Sequence, residues 1–188
     1  LAIKLLKRWY TKEKETELVI REKINVELQL LKAQVHPHFL FNTLNNIYSF
    51  SLYQSPQAGR LVQKLSGMLD YMIHDCEEKL VPLEKELGLI QDYMGLEKVR
   101  YGERLDMQVE IHGDFENKVI APLLMIPFVE NSFKHGTSQM LQHPWIKLEI
   151  IIVNHQLFFK LSNSKPSILI ANRQSIGIGL QNVKKRLG

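Results

Sequence analysis

Hydrophobic positions recur at spacings of three and four through the first hundred residues, then switch to strict alternation. Residues 11–35, TKEKETELVIREKINVELQLLKAQV, contain no glycine or proline, and Ile20, Ile24, Leu28, Leu31 and Val35 mark an apolar stripe. That pattern predicts a long amphipathic helix able to pair with another. In residues 34–52, Leu40, Phe41, Leu44, Ile47, Tyr48 and Leu52 cluster on one side of a helix turning about 100° per residue. After the break at QSPQ, Leu61, Leu65, Met68, Leu69 and Met72 predict a helix over roughly 57–78. A third helix is expected from VPLEKELGLIQDYMGLEKVR, with Pro82 suited to its first turn. Helices joined by short loops point to an antiparallel hairpin, and two copies would complete a four-helix bundle.

Beyond Gly102 the period becomes two. Leu105, Met107, Val109 and Ile111 alternate with polar residues, which predicts a half-buried strand. WIKLEIIIV and QLFFKLSN behave the same way around a tight turn at Asn154-His155. Between them lies an apolar helix, PLLMIPFVENSFKHG, closed by Gly136. GIGLQNVKKRL at the end reads as another helix. The expected class is therefore α+β. A helical half (1–101) would be followed by a mixed half (102–188), with no internal repeat.

Composition narrows this only a little. The 188 residues are 45% hydrophobic and carry a formal charge of +4, enough for one or two small domains and no strong pull toward nucleic acid. No nucleic-acid recognition motif is present, and no direct contact with nucleic acid is expected. One cysteine, Cys76, excludes an internal disulfide and a cysteine metal cage, and suits a reducing cytoplasm. No apolar run reaches the roughly 18 residues of a membrane span. LAIKLLKRWYTKEK is apolar and then basic, as is a stretch just cytoplasmic of such a span, or the start of an amphipathic soluble helix.

The stretch QVHPHFLFNTLNNIYSF carries the candidate chemistry. Asn42, Asn45 and Ser49 fall close to His38 on the helical wheel, so His38 belongs to a polar stripe and not to the apolar one. His36 points about 200° away from it, which argues against a shared metal. Pro37 lacks an N–H and bends the helix just before His38. An accessible neutral imidazole can act as a nucleophile, and Asn42, one turn on, can hydrogen-bond the ring or an arriving phosphoryl group.

LKAQVHPHFLFNTLNNI resembles the histidine box of the LytS/YesM-like sensor histidine kinases, whose core reads P-H-F-L-F-N. The resemblance implies that His38 accepts phosphate from ATP. His36 sits where many relatives carry Asn. Many other histidine kinases have an acidic residue directly after the acceptor, and this chain has Phe39 there.

In PFVENSFKHG, Asn131, Lys134 and His135 share a helix face. An amide oxygen together with phosphates can satisfy Mg²⁺, and Lys134 can neutralise phosphate charge. This stretch is similar to the N box of the ATPase domain shared by gyrase, Hsp90 and histidine kinases. That likeness implies that Asn131 coordinates Mg²⁺, that Glu130 supports the site, and that Lys134 and His135 contact phosphates. SIGIGLQNVKKRL matches that domain's G-x-G-L-x-N box, which implies nucleotide-binding roles for Gly177, Gly179, Leu180 and Asn182. Glycines there allow close backbone approach to phosphate. Most relatives carry Asp-x-Gly after the central hairpin. This chain has LSNSKP, so Asn163 would take the adenine-reading position without charge.

The resemblance covers about residues 30–188. It implies a signalling linker helix (1–30), a dimerisation and histidine phosphotransfer domain (31–101), and an ATP-binding α/β-sandwich domain (102–188) whose last strands would follow Gly188. The expected function is the cytoplasmic core of a two-component sensor kinase, on the inner face of the bacterial cell membrane. It would be a homodimer tied to a preceding transmembrane segment. Using ATP and Mg²⁺, it would autophosphorylate His38 and pass the group to an aspartate of a LytTR-type or AraC-type response regulator. The alternative is a non-catalytic dimeric signalling scaffold of the same fold, to which Asn163 and Phe39 lend weight. A G-x-x-x-x-G-K-[ST] phosphate loop, a protein-kinase catalytic loop and a nucleophile elbow are all missing.

Overall fold

The computed structural model describes residues 14, 37–135 and 143–165. Apart from Lys14, the expected helix over 11–35 lies outside these residues, as do the helix expected from Gly177 onward and Gly136, Gly177, Gly179, Leu180 and Asn182. The backbone divides into two compact units, Leu1–Leu40 and Phe41–Gly188. Helix α1 spans Pro37–Leu52.

On α1 the buried residues are Phe39 and Thr43, with Asn46, Ile47 and Phe50 half-buried on the same arc. The expected apolar stripe is largely at the surface instead: Phe41 is 67% exposed, Tyr48 64% and Leu52 62%. Two arcs with apolar residues therefore share one helix, and among the described residues only one of them is covered. Helix α2 (Pro56–His74) starts as its sequence demands. Pro56 fills the first turn, and the Ser55 hydroxyl accepts the Gln57 N–H at 3.3 Å. Leu61, Leu65, Met68 and Tyr71 form its buried stripe. A short 3₁₀ turn, Asp75–Glu77, ends it.

Strand β1 (Val81–Pro82) pairs antiparallel with β3 (Val119–Ile120), a bridge too short to leave a periodic signal. Helix α3 (Leu83–Tyr101) follows directly, with Glu84 and Glu86 in its first turn and Lys98 and Arg100 in its last, the arrangement its dipole favours. Gly102, at φ +61°, turns the chain out of the helix. Helix α3 is buried on several sides because α2, α4 (Ile126–His135) and the β1–β3 pair all pack on it.

The main sheet has the order β2 (Asp106–Gly113), β4 (Trp145–Val153), β5 (Gln156–Asn163). Strand β2 runs parallel to β4, with Asp106 opposite Trp145 and Gly113 opposite Ile152. Strands β4 and β5 form a hairpin around Asn154, at φ +55°. Ile146, Leu148, Ile150 and Ile152 give the sheet its buried face. The Gly113 backbone lies against Ile152, where a β-carbon would fall 2.0 Å from the carbonyl oxygen, so only glycine fits at its φ of +105°. The fold is mixed α+β, and α4 lies within the crossover from β2 to β4.

Candidate functional site

Helix α4 is seated by its apolar side. Val129, Ser132 and Phe133 are buried, and the Ser132 hydroxyl donates to the Val129 carbonyl at 2.7 Å. Phe133 meets Tyr93 edge-on at 5.9 Å and Tyr101 at 6.0 Å, both on α3. Phe128 meets Phe159 of β5 at 5.8 Å. With that side fixed, the helical period directs Glu130, Asn131 and Lys134 to the other side. Glu130 and Asn131 are half-buried and Lys134 is exposed. The helix begins at Ile126 and not at Pro122, because Leu123 takes φ +55°. His135 is the last described residue of the helix.

The last turns of α3 stand behind Glu130. Arg100 donates through Nη1 to both oxygens of the buried Glu97, at 3.1 and 3.0 Å, and its guanidinium lies 4.9 Å from the centre of the Tyr101 ring. The Tyr93 hydroxyl donates to Glu97 Oε1 at 3.4 Å. Burial raises the Glu97 carboxyl above its ordinary range, against the pull of Arg100 and the Tyr93 hydrogen bond. Burial first, and the Glu97 charge second, push Glu130 up to about 7, with Lys134 opposing them. A carboxyl in that range can hold or release a proton near neutral pH.

Asn163 ends β5 opposite Ile146 and is half-buried. Its Nδ2 donates to the Ser164 carbonyl at 2.8 Å, which presents Oδ1 as its accepting atom. The corner is stitched further: the Ser164 N–H donates to the Trp145 carbonyl at 3.0 Å, and the Trp145 N–H to Ser164 Oγ at 3.1 Å. The Phe128–Phe159 contact thus joins the helix bearing Asn131 to the strand bearing Asn163.

His38 is exposed, as are Asn45 and Ser49, while Asn42 is half-buried. His38 belongs to the first compact unit, and the α4 and β5 residues to the second.

Several polar residues escaped the sequence reading. Glu86 is fully buried, and its Oε1 accepts from the Tyr71 hydroxyl at 2.6 Å and from the Leu123 N–H. Glu97 is 2% exposed. Both occupy the apolar period of α3, with Leu83, Leu87, Ile90 and Met94, and a carboxylate at such a position was the available signal.

The family model for the histidine kinases matches residues 26–105, from before the His38 segment to the start of β2. The sensor histidine kinase BtsS of Escherichia coli (strain K12) is 33% identical over 161 residues, covering 86% of this chain and 28% of that protein. The chain belongs to the LytS/YesM-like sensor histidine kinase family. The sensor protein LytS of Bacillus cereus is 24% identical over 186 residues, covering 92% of the chain and 31% of the relative. The sensor histidine kinase YesM of Bacillus subtilis is 26% identical over 177 residues, covering 92% and 30%. The chain thus spans under a third of the length of these relatives. Among the described residues no helix is long and apolar enough to cross a membrane.

Proposed function

We propose that this chain is the core of a two-component sensor histidine kinase that phosphorylates itself on His38 and passes the phosphoryl group to an aspartate of a response regulator. The observation that carries the reading is the exposed position of His38 on α1, in a chain that also holds an amide, an ammonium and a near-neutral carboxyl on one face of α4. Family membership supports it.

The donor set fits Mg²⁺-ATP. Asn131 offers a hard amide oxygen, half-buried and one residue from Glu130, and Lys134 offers an exposed ammonium for phosphate. Mg²⁺, when bound, would screen the charge of the triphosphate. Asn163 would accept from the adenine amino group through Oδ1, since its Nδ2 is taken by Ser164. Glu130 would hold or release a proton at its carboxyl. Phe39 is buried and carries no acid, so the residue after His38 is not its base. Gly177, Gly179, Leu180, Asn182 and His135 complete the proposed nucleotide contacts. Catalysis would rest on positioning and on electrostatic relief of the phosphates.

In this reading residues 1–30 link a sensor to the core, 31–101 dimerise and present the histidine, and 102–188 form the nucleotide-binding α/β sandwich. The exposed Phe41, Leu44, Tyr48 and Leu52 suit burial against a second copy. The regulator would be of LytTR or AraC type. The core would sit on the cytoplasmic face of the cell membrane, below a transmembrane segment. Incubation with γ-labelled ATP and Mg²⁺ separates this from the non-catalytic scaffold. Acid-labile label on the wild type that disappears in His38→Gln supports the kinase, and nucleotide binding without label supports the scaffold.

A further inference from the structure

Leu123 is held at φ +55° with its side chain buried. A residue with a β-carbon adopts this conformation at a cost, and it persists where the surroundings over-determine it. The turn is hydrogen-bonded to a carboxylate on another element. The Leu123 N–H donates to Glu86 Oε1, and the same oxygen accepts the Tyr71 hydroxyl at 2.6 Å. Glu86 is 0% exposed. One buried oxygen of α3 therefore pins both α2 and the turn that leads into α4.

That turn sets the base of the site helix. Two residues beyond Leu123, the Met125 carbonyl accepts the Phe128 N–H at 3.1 Å and the Val129 N–H at 3.5 Å, which starts α4. The next turn carries Glu130 and Asn131. Glu130 and Asn131 lie about one turn from that base, so a rotation there is carried directly to them. Further along α4, Phe133 rests on Tyr93 and Tyr101 of α3, so the two ends of the helix are referred to the same neighbour.

We propose that Glu86 is a positioning residue for the magnesium–nucleotide site: by holding the Leu123 N–H it fixes the base of α4, and with it the direction in which Asn131 and Lys134 point. This rests on the kinase reading above. Glu86 touches neither nucleotide nor metal and acts through the strained turn.

The test uses the full chain and measures ADP affinity with Mg²⁺ and with EDTA in the wild type, Glu86→Gln and Glu86→Met. The quantity read is the gain in affinity that Mg²⁺ confers. Glu86→Gln keeps an accepting oxygen, so its gain should stay within about threefold of wild type. Glu86→Met removes the acceptor, so its gain should fall about tenfold while circular dichroism shows a folded chain. A folded Glu86→Met protein with the wild-type gain overturns the proposal, because a purely structural role would lower the melting temperature and leave the gain alone. A second measurement needs no variant. Coupling is reciprocal, so saturating Mg-ADP should slow exchange of the Leu123 amide in the wild type by at least about threefold. Nucleotide binding with unchanged Leu123 exchange overturns this proposal alone. A wild type that binds no nucleotide overturns both it and the kinase reading.

Discussion

The Tyr71 hydroxyl donates to Glu86 Oε1 across 2.6 Å and ties α2 to α3 inside the second compact unit. Burial first, and the Glu86 charge second, raise the tyrosine well above its ordinary range. Tyr71→Phe should cost about 1–3 kcal/mol in urea unfolding, because a buried carboxylate loses a donor. The pH dependence has a definite sign. A folded pKa above the unfolded one means that the native state keeps a proton the unfolded state loses, so stability falls as pH rises past about 10. That fall should be smaller in Tyr71→Phe, and equal slopes above pH 10 would contradict the assignment.

Glu130 gives a second handle on stability. Its folded value of about 7 exceeds the ordinary glutamate value, so its contribution is complete at low pH and is lost as pH rises toward neutrality. Glu130→Gln should remove that component. The variant should match the wild type near pH 4.5 and be the more stable of the two at pH 8 in denaturant titrations.

Much of this was legible beforehand. The strands β4 and β5, the turn at Asn154 and the helix after QSPQ follow directly from period and turn chemistry. The polar stripe at His38 was also readable, since the wheel angle depends only on spacing. Other features depend on tertiary context. Leu123 reads as part of the apolar helix expected from Pro122, and nothing local announces its positive φ. Glu86 and Glu97 are buried because α2 and α4 pack on α3, which spacing along one helix does not reveal. The stripe of Phe41, Tyr48 and Leu52 was apolar as expected. Periodicity says that such a face will be covered and leaves open whether the same chain covers it.

That stripe makes a direct prediction. In sedimentation equilibrium the chain should be a dimer, and Phe41→Glu combined with Tyr48→Glu should weaken association at least tenfold while leaving the far-ultraviolet spectrum intact. A double variant that associates as tightly as wild type would mean that the α1 stripe serves something other than a second copy.

Asn163 should tune base choice. If its Oδ1 reads the adenine amino group, Asn163→Ala should reduce the preference for ATP over GTP about fivefold, the worth of one neutral hydrogen bond. Competition binding against a fluorescent nucleotide reads this ratio, and an unaltered ratio would remove Asn163 from the adenine contact.

The most direct test locates the phosphoryl group itself. After incubation of the full chain with Mg²⁺-ATP, peptides prepared at neutral to alkaline pH should carry one phosphoramidate, on the histidine between Pro37 and Phe39. A phosphoryl group on His36, on a hydroxyl, or on no residue while ATP is bound would contradict the account.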